Sequence, residues 1–239
     1  EDGSEIISVI ADSDFEDDNK GTYPDNLPIL PLRNTVLFPG VVFPVTVGRD
    51  KSIKLIQDAY KGDKIIGVVA QKDQNIEDPT AKDLYPVGTL AHILKMLKMP
   101  DGNITVIIQG KRKFKLDEIT QEEPYFRGNI TATTDSKANK GKETNATVSS
   151  IRDLASQIVE VSPNIPSEAS FALKNINSPN FLVNFISSNL NVSVDEKQEI
   201  LELSVFKKKA NRVLTYLDKE LQMLELKNKI QSKVKVDLD

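Results

Sequence analysis

The chain has 239 residues, of which 28% are charged and 39% hydrophobic, and its formal net charge at pH 7 is −4. It contains no cysteine and a single histidine, His92, which excludes disulfides, thiolate metal sites and histidine-rich metal clusters. No apolar run approaches the roughly 20 residues that a membrane span requires, and the acidic net charge gives no general attraction to nucleic acid or anionic membranes.

Residues 1–26 are rich in Asp and Glu and contain Lys20 as their only base. They show no sustained apolar period, which predicts an acidic, flexible tail. We find neither a secretory signal nor a transit peptide at this end of the chain, and a cytoplasmic location is therefore expected.

Four prolines punctuate two apolar runs in the stretch LPILPLRNTVLFPGVVFPVTVGR, from Leu27 to Arg49. Proline cannot donate to a strand ladder, so within a sheet it is confined to edges, first residues and bulges. The pattern predicts two short strands, Ile29–Leu32 and Val41–Val47, on either side of a Pro39-Gly40 turn.

This stretch resembles the opening of the amino-terminal domain of Lon, the ATP-dependent protease. In that family an apolar strand of the form LPxLPLR precedes an xxxFPG turn and a second strand that ends just before a helix. The matching positions here are Leu27–Arg33, Leu37–Gly40 and Val41–Val47. The resemblance extends from Leu27 to the end of the chain.

Residues 27–134 carry mostly strand signals, with one amphipathic helix between Asp50, as its N-cap, and Gly62. Asp101-Gly102 supplies the positive-φ residues that a tight hairpin needs, and Gly110 is expected to turn the chain again. Seven short strands and one inserted helix indicate a compact, barrel-like sheet. The strands predicted after the helix are Ile65–Ala70, Gly88–Met99, Asn103–Gln109, Lys113–Ile119 and Tyr125–Thr133.

Residues 135–146 form a polar stretch without large apolar side chains at its start, which predicts a linker. Residues 147–239 change to a helical period. Predicted helices cover 148–159, 167–174, capped by Ser167, and a segment that begins at Ser178-Pro179. The capping-box spacing of Ser193 and Glu196 starts a last helix. It meets no glycine or proline before Asp239, and its second half is expected to leave the bundle.

The predicted class is therefore α+β, with a β-rich barrel followed by a helical bundle that ends in a long helix. The Lon resemblance implies that the β part is a PUA-like pseudo-barrel. It also implies that ATP, Mg²⁺ and a serine–lysine protease dyad belong to the full-length protein, while this segment holds no cofactor.

No catalytic or metal-binding residues are predicted within the chain. Gly141-Lys142 is the nearest approach to a phosphate-binding loop, but Glu143 replaces the required Ser or Thr and Ser136 occupies the first glycine position. His92 lies inside an apolar strand, where a strand histidine is the simpler interpretation. The chain itself is thus not expected to be an enzyme.

Two groups of residues are candidates for substrate binding. Met96, Leu97 and Met99 cluster beside the Asp101-Gly102 turn, and methionine is flexible enough to adapt to apolar segments of varied shape. Phe38, Val41 and Phe43 surround the Pro39-Gly40 turn. For both groups, packing into the protein's own core is the alternative.

The resemblance implies an amino-terminal region that recognises unfolded or tagged proteins and helps to arrange a hexamer. Two alternatives stay open. One is a stand-alone adaptor without a protease. The other is an RNA-binding PUA-like module, suggested by Lys111-Arg112-Lys113; a second basic run, Lys207–Lys209, has the spacing of a solvated helix face.

Overall fold

The computed structural model describes residues 21–166 and 168–238. Most of the acidic tail predicted for residues 1–26 and the Ser167 cap lie outside the described residues. No helix among the described residues is long and apolar enough to cross a membrane.

Among the described residues, six strands form one sheet, and a helix α1 is inserted after the second strand. Strand β5 is the centre of the sheet, because it pairs with β4 from Ile104 to Lys115, with β2 along its first residues and with β6 along its last. The ring β5-β4-β3-β1-β6 closes back on β5, which makes a small barrel to which β2 adds an edge. The bounds are β1 Asn26–Leu32, β2 Val42–Val47, α1 Asp50–Lys61, β3 Ile65–Ala70, β4 Val87–Lys98, β5 Ile104–Gln121 and β6 Arg127–Ala132.

The predicted turn at Gly110 is wrong, because β5 runs through that glycine without interruption. The Gly110 N–H donates to the Val41 carbonyl at 2.9 Å, and its own carbonyl accepts from Gly40 at 2.8 Å. A Cβ at this position would lie 2.3 Å from the Phe38 carbonyl oxygen. The glycine thus serves the close approach of the Pro39-Gly40 turn, and two predicted strands become one.

The second half of the chain contains five helices among the described residues. Ser178 caps α4 by accepting a hydrogen bond from Phe181 N at 3.2 Å, with Pro179 at its first turn, as predicted. The capping box of Ser193 and Glu196 also forms at the start of α5. The bounds are α2 Lys142–Val161, α3 Glu168–Asn175, α4 Pro179–Asn189, α5 Val194–Glu202 and α6 Phe206–Leu238.

The last helix is interrupted where the sequence predicted continuity, since residues 203–205 separate α5 from α6. The break leaves carbonyls near the end of α5 without helical partners, and the buried ammonium of Lys113 on β5 donates hydrogen bonds to them. Its ammonium donates to the Leu201 carbonyl at 3.0 Å and to the Leu203 carbonyl at 3.4 Å. A partner distant in sequence therefore stabilises a break that contains no glycine or proline.

Among the described residues, two buried clusters fill the β part, one under α1 and one inside the barrel near Phe114. The third cluster lies among the helices, yet Val36, Phe38 and Val41 from the first part of the chain belong to it. The side-chain amide of Asn184 on α4 donates to the Pro39 carbonyl at 3.2 Å. The Pro39-Gly40 turn is thus packed into the helical core.

These elements confirm the predicted α+β class, with a barrel-like sheet, one inserted helix and a helical bundle that ends in a long helix. The second half of α6 also leaves the bundle as expected: Leu226, Ile230 and Val234 are exposed on it. The division of the chain into domains around residues 135–146 stays a prediction.

Candidate functional site

The β4–β5 hairpin carries the residues predicted to bind substrate. The hairpin closes through Met99 N donating to the Asn103 carbonyl at 2.9 Å, with Gly102 at φ 89°. Asp101 holds the turn by accepting from the Asn103 backbone N–H at 3.0 Å. The tip is therefore an ordered support for the side chains on either side of it.

Three large apolar side chains near this tip face solvent. Leu97 is 41% and Met99 43% exposed, and Leu94 joins them. Leu94 lies at a register shift, where Ile93 pairs with Ile108 and Lys95 with Ile107, so it is the extra residue of a bulge that re-aims side chains. Met96, in contrast, is half-buried and packs against the core under α1. The predicted trio is thus divided between surface and core.

The exposed face continues from the hairpin onto the neighbouring strand. Leu97 lies opposite Thr105, and Thr105 lies opposite Thr46 of β2. The two threonine hydroxyls are 2.9 Å apart and hydrogen-bonded. This arrangement places an apolar tip beside a polar strand face that ends at an open sheet edge.

Strand β2 is that edge, since β5 is its one partner among the described strands. Pro44 stands in it, where its missing N–H costs no ladder bond. A groove of about 710 Å³ separates β2 from the end of β1 and the segment after it. Half-buried Phe43 lines this groove. Edge strands can pair with an extended peptide, although Pro44 offers no donor at its own position and so limits the number of main-chain hydrogen bonds on this edge.

Arg33 and Arg49 are the charged side chains among the residues that line the groove. Arg49 donates to the Pro31 carbonyl at 3.2 Å and to Gln71 Oε1 at 3.0 Å, and burial, followed by the charge of Arg33, lowers its pKa. Arg33 donates through Nε and Nη2 to the Gln74 carbonyl at 3.2 and 3.1 Å. We did not predict this groove from the sequence. The available signal was an arginine within two residues of the end of each of the two apolar runs.

Phe38 and Val41 do not reach this surface, although they were predicted as candidates with Phe43. Phe38 is fully buried and Val41 nearly so, both within the helical core. The Thr89 hydroxyl fixes the same turn by donating to the Leu37 carbonyl at 2.6 Å. Their burial in this core leaves Phe43 as the member of that group that lines an accessible groove.

In each of the two basic runs, Lys111–Lys113 and Lys207–Lys209, one lysine is buried. Lys113 and Lys209 are both 3% exposed, and both ammonium groups bond to the carboxylate of Asp135. A nucleic-acid surface needs accessible cations and base-stacking aromatics. Neither run presents an uninterrupted basic patch, and nothing in this geometry favours the RNA-binding alternative.

Comparisons with known proteins agree with one another. A sequence model of the ATP-dependent protease La (LON) substrate-binding domain matches residues 26–219. The chain is 54% identical over 237 residues to a Lon protease of Flavobacterium johnsoniae, and 45% identical over 236 residues to one of Cytophaga hutchinsonii. These matches cover 99% and 98% of the chain, which spans 29% of the length of each relative.

Solved structures show the same fold. The N-terminal domain of a Mycobacterium avium complex Lon protease superposes with a TM-score of 0.66 at 16% identity, and covers 81% of this chain and 98% of its own. A Lon N-terminal domain protein from Xanthomonas campestris gives 0.58 at 16% identity, over 80% and 97%.

Proposed function

The chain belongs to the Lon substrate-binding domain family, and on that premise we propose that it captures unfolded protein segments through the β4–β5 hairpin tip and the β2 edge. The observation that carries this proposal is the pair of exposed apolar side chains, Leu97 and Met99, on an ordered turn. Apolar side chains of this size are normally buried, and a flexible methionine accommodates varied sequences.

The β2 edge supplies the second part of the proposed contact. An extended segment beside Phe43 would form main-chain hydrogen bonds with the strand, which do not depend on sequence. Val47 at the end of β2 lies opposite Ile104, and Ile104 lies opposite Lys98, so a segment that continues past this end would contact Leu97 and Met99 at the hairpin tip. Such a surface favours chains that lack structure, because a folded protein buries most of its large apolar side chains and pairs most of its strands.

Each contact of this kind is weak, and we propose that self-association strengthens it. Linked sites raise the effective concentration of a segment held at one of them. In the same proposal, the exposed stripe of Leu226, Ile230 and Val234 on α6 contacts another copy and helps to arrange a hexamer. The stripe repeats every four residues, which is helical spacing along one face.

The activity of the whole protein belongs to the same proposal: ATP hydrolysis with Mg²⁺ and proteolysis at a serine–lysine dyad, neither assigned to residues of this chain. A cytoplasmic location also stays a prediction, which fractionation of cells would test.

Binding of a fluorescent, permanently unfolded protein to the purified chain tests the capture proposal. Leu97→Ser with Met99→Ser should weaken this binding by about tenfold, because two apolar contacts are lost. The matched control is Phe171→Ser with Met223→Ser, which removes more exposed apolar surface elsewhere and should leave binding unchanged. Met96 is not substituted, since its loss would disturb the core.

Three results would contradict the proposal. The first is equal binding by both double variants with the fold intact, and the second is equal affinity for the native and unfolded forms of the probe. The third is salt-sensitive binding of RNA in the absence of protein binding, which would favour the RNA-binding alternative.

A further inference from the structure

A small cavity lies where the sheet meets the helical bundle. Its volume is about 50 Å³, and β5, the segment after β6 and the start of α4 surround it. Four basic side chains line it, and Asp135, the one acid among the described lining residues, is already bonded to Lys113 and Lys209. The basic residues are Lys111, Arg112, Lys113 and Lys137.

A bulge in β5 contributes to this concentration of charge. Leu90 pairs with Arg112 and Ala91 with Gly110, which leaves Lys111 as the extra residue between them. Bulges re-aim side chains relative to the regular alternation of a strand. The bulge thus allows consecutive basic residues of β5 to line one cavity.

Two polar atoms on residues that line this cavity are buried without a hydrogen-bond partner among the described residues. They are Arg112 Nε, a donor, and Asn184 Oδ1, an acceptor. Asn184 is only 3% exposed. Buried polar atoms are nearly always paired, and an unpaired one costs free energy. A ligand that pairs with both atoms would remove that cost.

The orientation of the Asn184 amide follows from its other contact. Its Nδ2 donates to the Pro39 carbonyl at 3.2 Å, and the flipped amide would set two oxygens against each other at that place. The acceptor therefore faces away from Pro39. A ligand bound to Asn184 must donate a hydrogen bond to Oδ1, while its other atoms accept from Arg112.

We propose that this cavity binds a single protonated tetrahedral oxyanion, a hydrogenphosphate group. Such a group has the negative charge that the basic side chains and the amino-terminal end of α4 favour, oxygens that accept from Arg112 Nε, and a hydroxyl that donates to Asn184 Oδ1. The volume is that of a few water molecules, which suits one phosphate group rather than a nucleotide or a peptide.

The hydroxyl distinguishes this ligand from its closest mimics. Near neutral pH inorganic phosphate keeps a proton, whereas sulfate has none and cannot donate to Asn184. An ionised carboxylate has the same deficiency. The cavity should therefore prefer phosphate to sulfate, although both are tetrahedral anions.

Titration of the ¹⁵N-labelled chain with inorganic phosphate, followed by NMR at constant ionic strength, tests the proposal. Saturable one-to-one shifts of the Asn184 side-chain amide and the Arg112 Nε–H are expected, with sulfate binding at least about tenfold more weakly. A thermal shift is not a suitable readout, because phosphate and sulfate both stabilise proteins by exclusion from their surfaces. A parallel titration with O-phosphoserine at about pH 5, where a phosphomonoester keeps one proton because its second pKa is about 6, shows whether the cavity takes a phosphomonoester or only the free ion.

Arg112→Gln should weaken phosphate binding at least about tenfold, because a charge-assisted hydrogen bond is lost. Lys137→Gln removes an exposed charge at the same cavity and should weaken it by a few-fold. Lys140→Gln is the matched control, three residues further along and outside the cavity, and should have no effect. The proposal is overturned by an absence of saturable binding, by equal affinity for sulfate, or by equal affinity in Arg112→Gln, Lys137→Gln and the unmodified chain.

Discussion

The carboxylate of Asp135 accepts a hydrogen bond from the buried ammonium of Lys113, and this pair joins the segment after the barrel to the break in the last helices. Lys113 also donates to Ser204 Oγ at 3.0 Å and to the carbonyls that the break exposes. A second buried lysine, Lys209 of α6, bonds to the other oxygen of Asp135. Two ammonium groups thus share one carboxylate.

Removing the shared carboxylate of Asp135 should lower the free energy of unfolding much more than removing the second lysine, Lys209. Asp135→Asn leaves two buried ammonium groups uncompensated, and we expect a loss of about 3–5 kcal/mol in the free energy of unfolding. Lys209→Met keeps the one-to-one pair with Lys113 and should change this free energy by about 1 kcal/mol or less. Urea denaturation of the two variants measures both; similar losses would contradict the shared-carboxylate interpretation.

The buried Lys209 should also make the free energy of unfolding depend on pH at alkaline pH. Burial lowers the pKa of Lys209 below the ordinary 10.5, opposed by Asp135 and reinforced by Lys113. Between the lowered and the ordinary pKa the unfolded chain binds more protons at this site than the folded chain. The contribution of Lys209 to stability therefore rises with pH in that window.

The measurement is the slope of the unfolding free energy against pH in the unmodified chain and in Lys209→Met. The slope should be more positive in the unmodified chain as the pH approaches 10.5. Identical slopes would mean that Lys209 has the same pKa in the folded and the unfolded chain, which contradicts the prediction. The same titration in Lys140→Met, which removes an exposed lysine, controls for the change in net charge.

Substitution by alanine should destabilise the fold much more at Gly110 than at Gly102. Gly110→Ala would bring a Cβ to 2.3 Å from the Phe38 carbonyl oxygen, and we expect a loss above about 3 kcal/mol because backbone must move on both sides. Gly102→Ala meets no atom within 4 Å, and its φ of 89° alone should cost about 1 kcal/mol. Thermal and urea denaturation compare the two variants. A loss in Gly110→Ala as small as that in Gly102→Ala would show that the Pro39-Gly40 turn can shift.

The exposed stripe on α6 should govern self-association without affecting the fold. Ile230→Asp with Val234→Asp places two charges on half-exposed positions, and should lower the association constant by at least about tenfold while the unfolding curve stays unchanged. Gln231→Asp with Ser232→Asp adds the same charge at positions outside the stripe and is the control. Sedimentation at several concentrations distinguishes them, and equal effects would exclude the stripe as the contact.

Local signals in the sequence predicted most of the elements correctly. The β3 bounds, the Ser178-Pro179 start of α4 and the Ser193 capping box depend on neighbouring residues, and these were found. The failures at Gly110 and at residues 203–205 depend on partners distant in sequence, Phe38 and Lys113. No pattern within a short window contains that information.

The candidate site was predictable to a similar extent. Clustering of Met96, Leu97 and Met99 beside a turn indicated the hairpin, but the bulge at Leu94 and the packing of Met96 decided which side chains are exposed. The groove beside Phe43 requires that β1 and β2 do not pair with each other, which is a property of the whole sheet order.

The hydrogen bond between Asn184 and the Pro39 carbonyl spans 145 residues, and this distance has a consequence for the order of assembly. A ribosome makes Phe38 and Val41 long before it makes the helices that bury them. The nascent barrel would therefore display its own apolar turn until α4 emerges. A chain that we propose to capture unfolded segments thus itself exposes, for that interval, the kind of apolar segment it would capture.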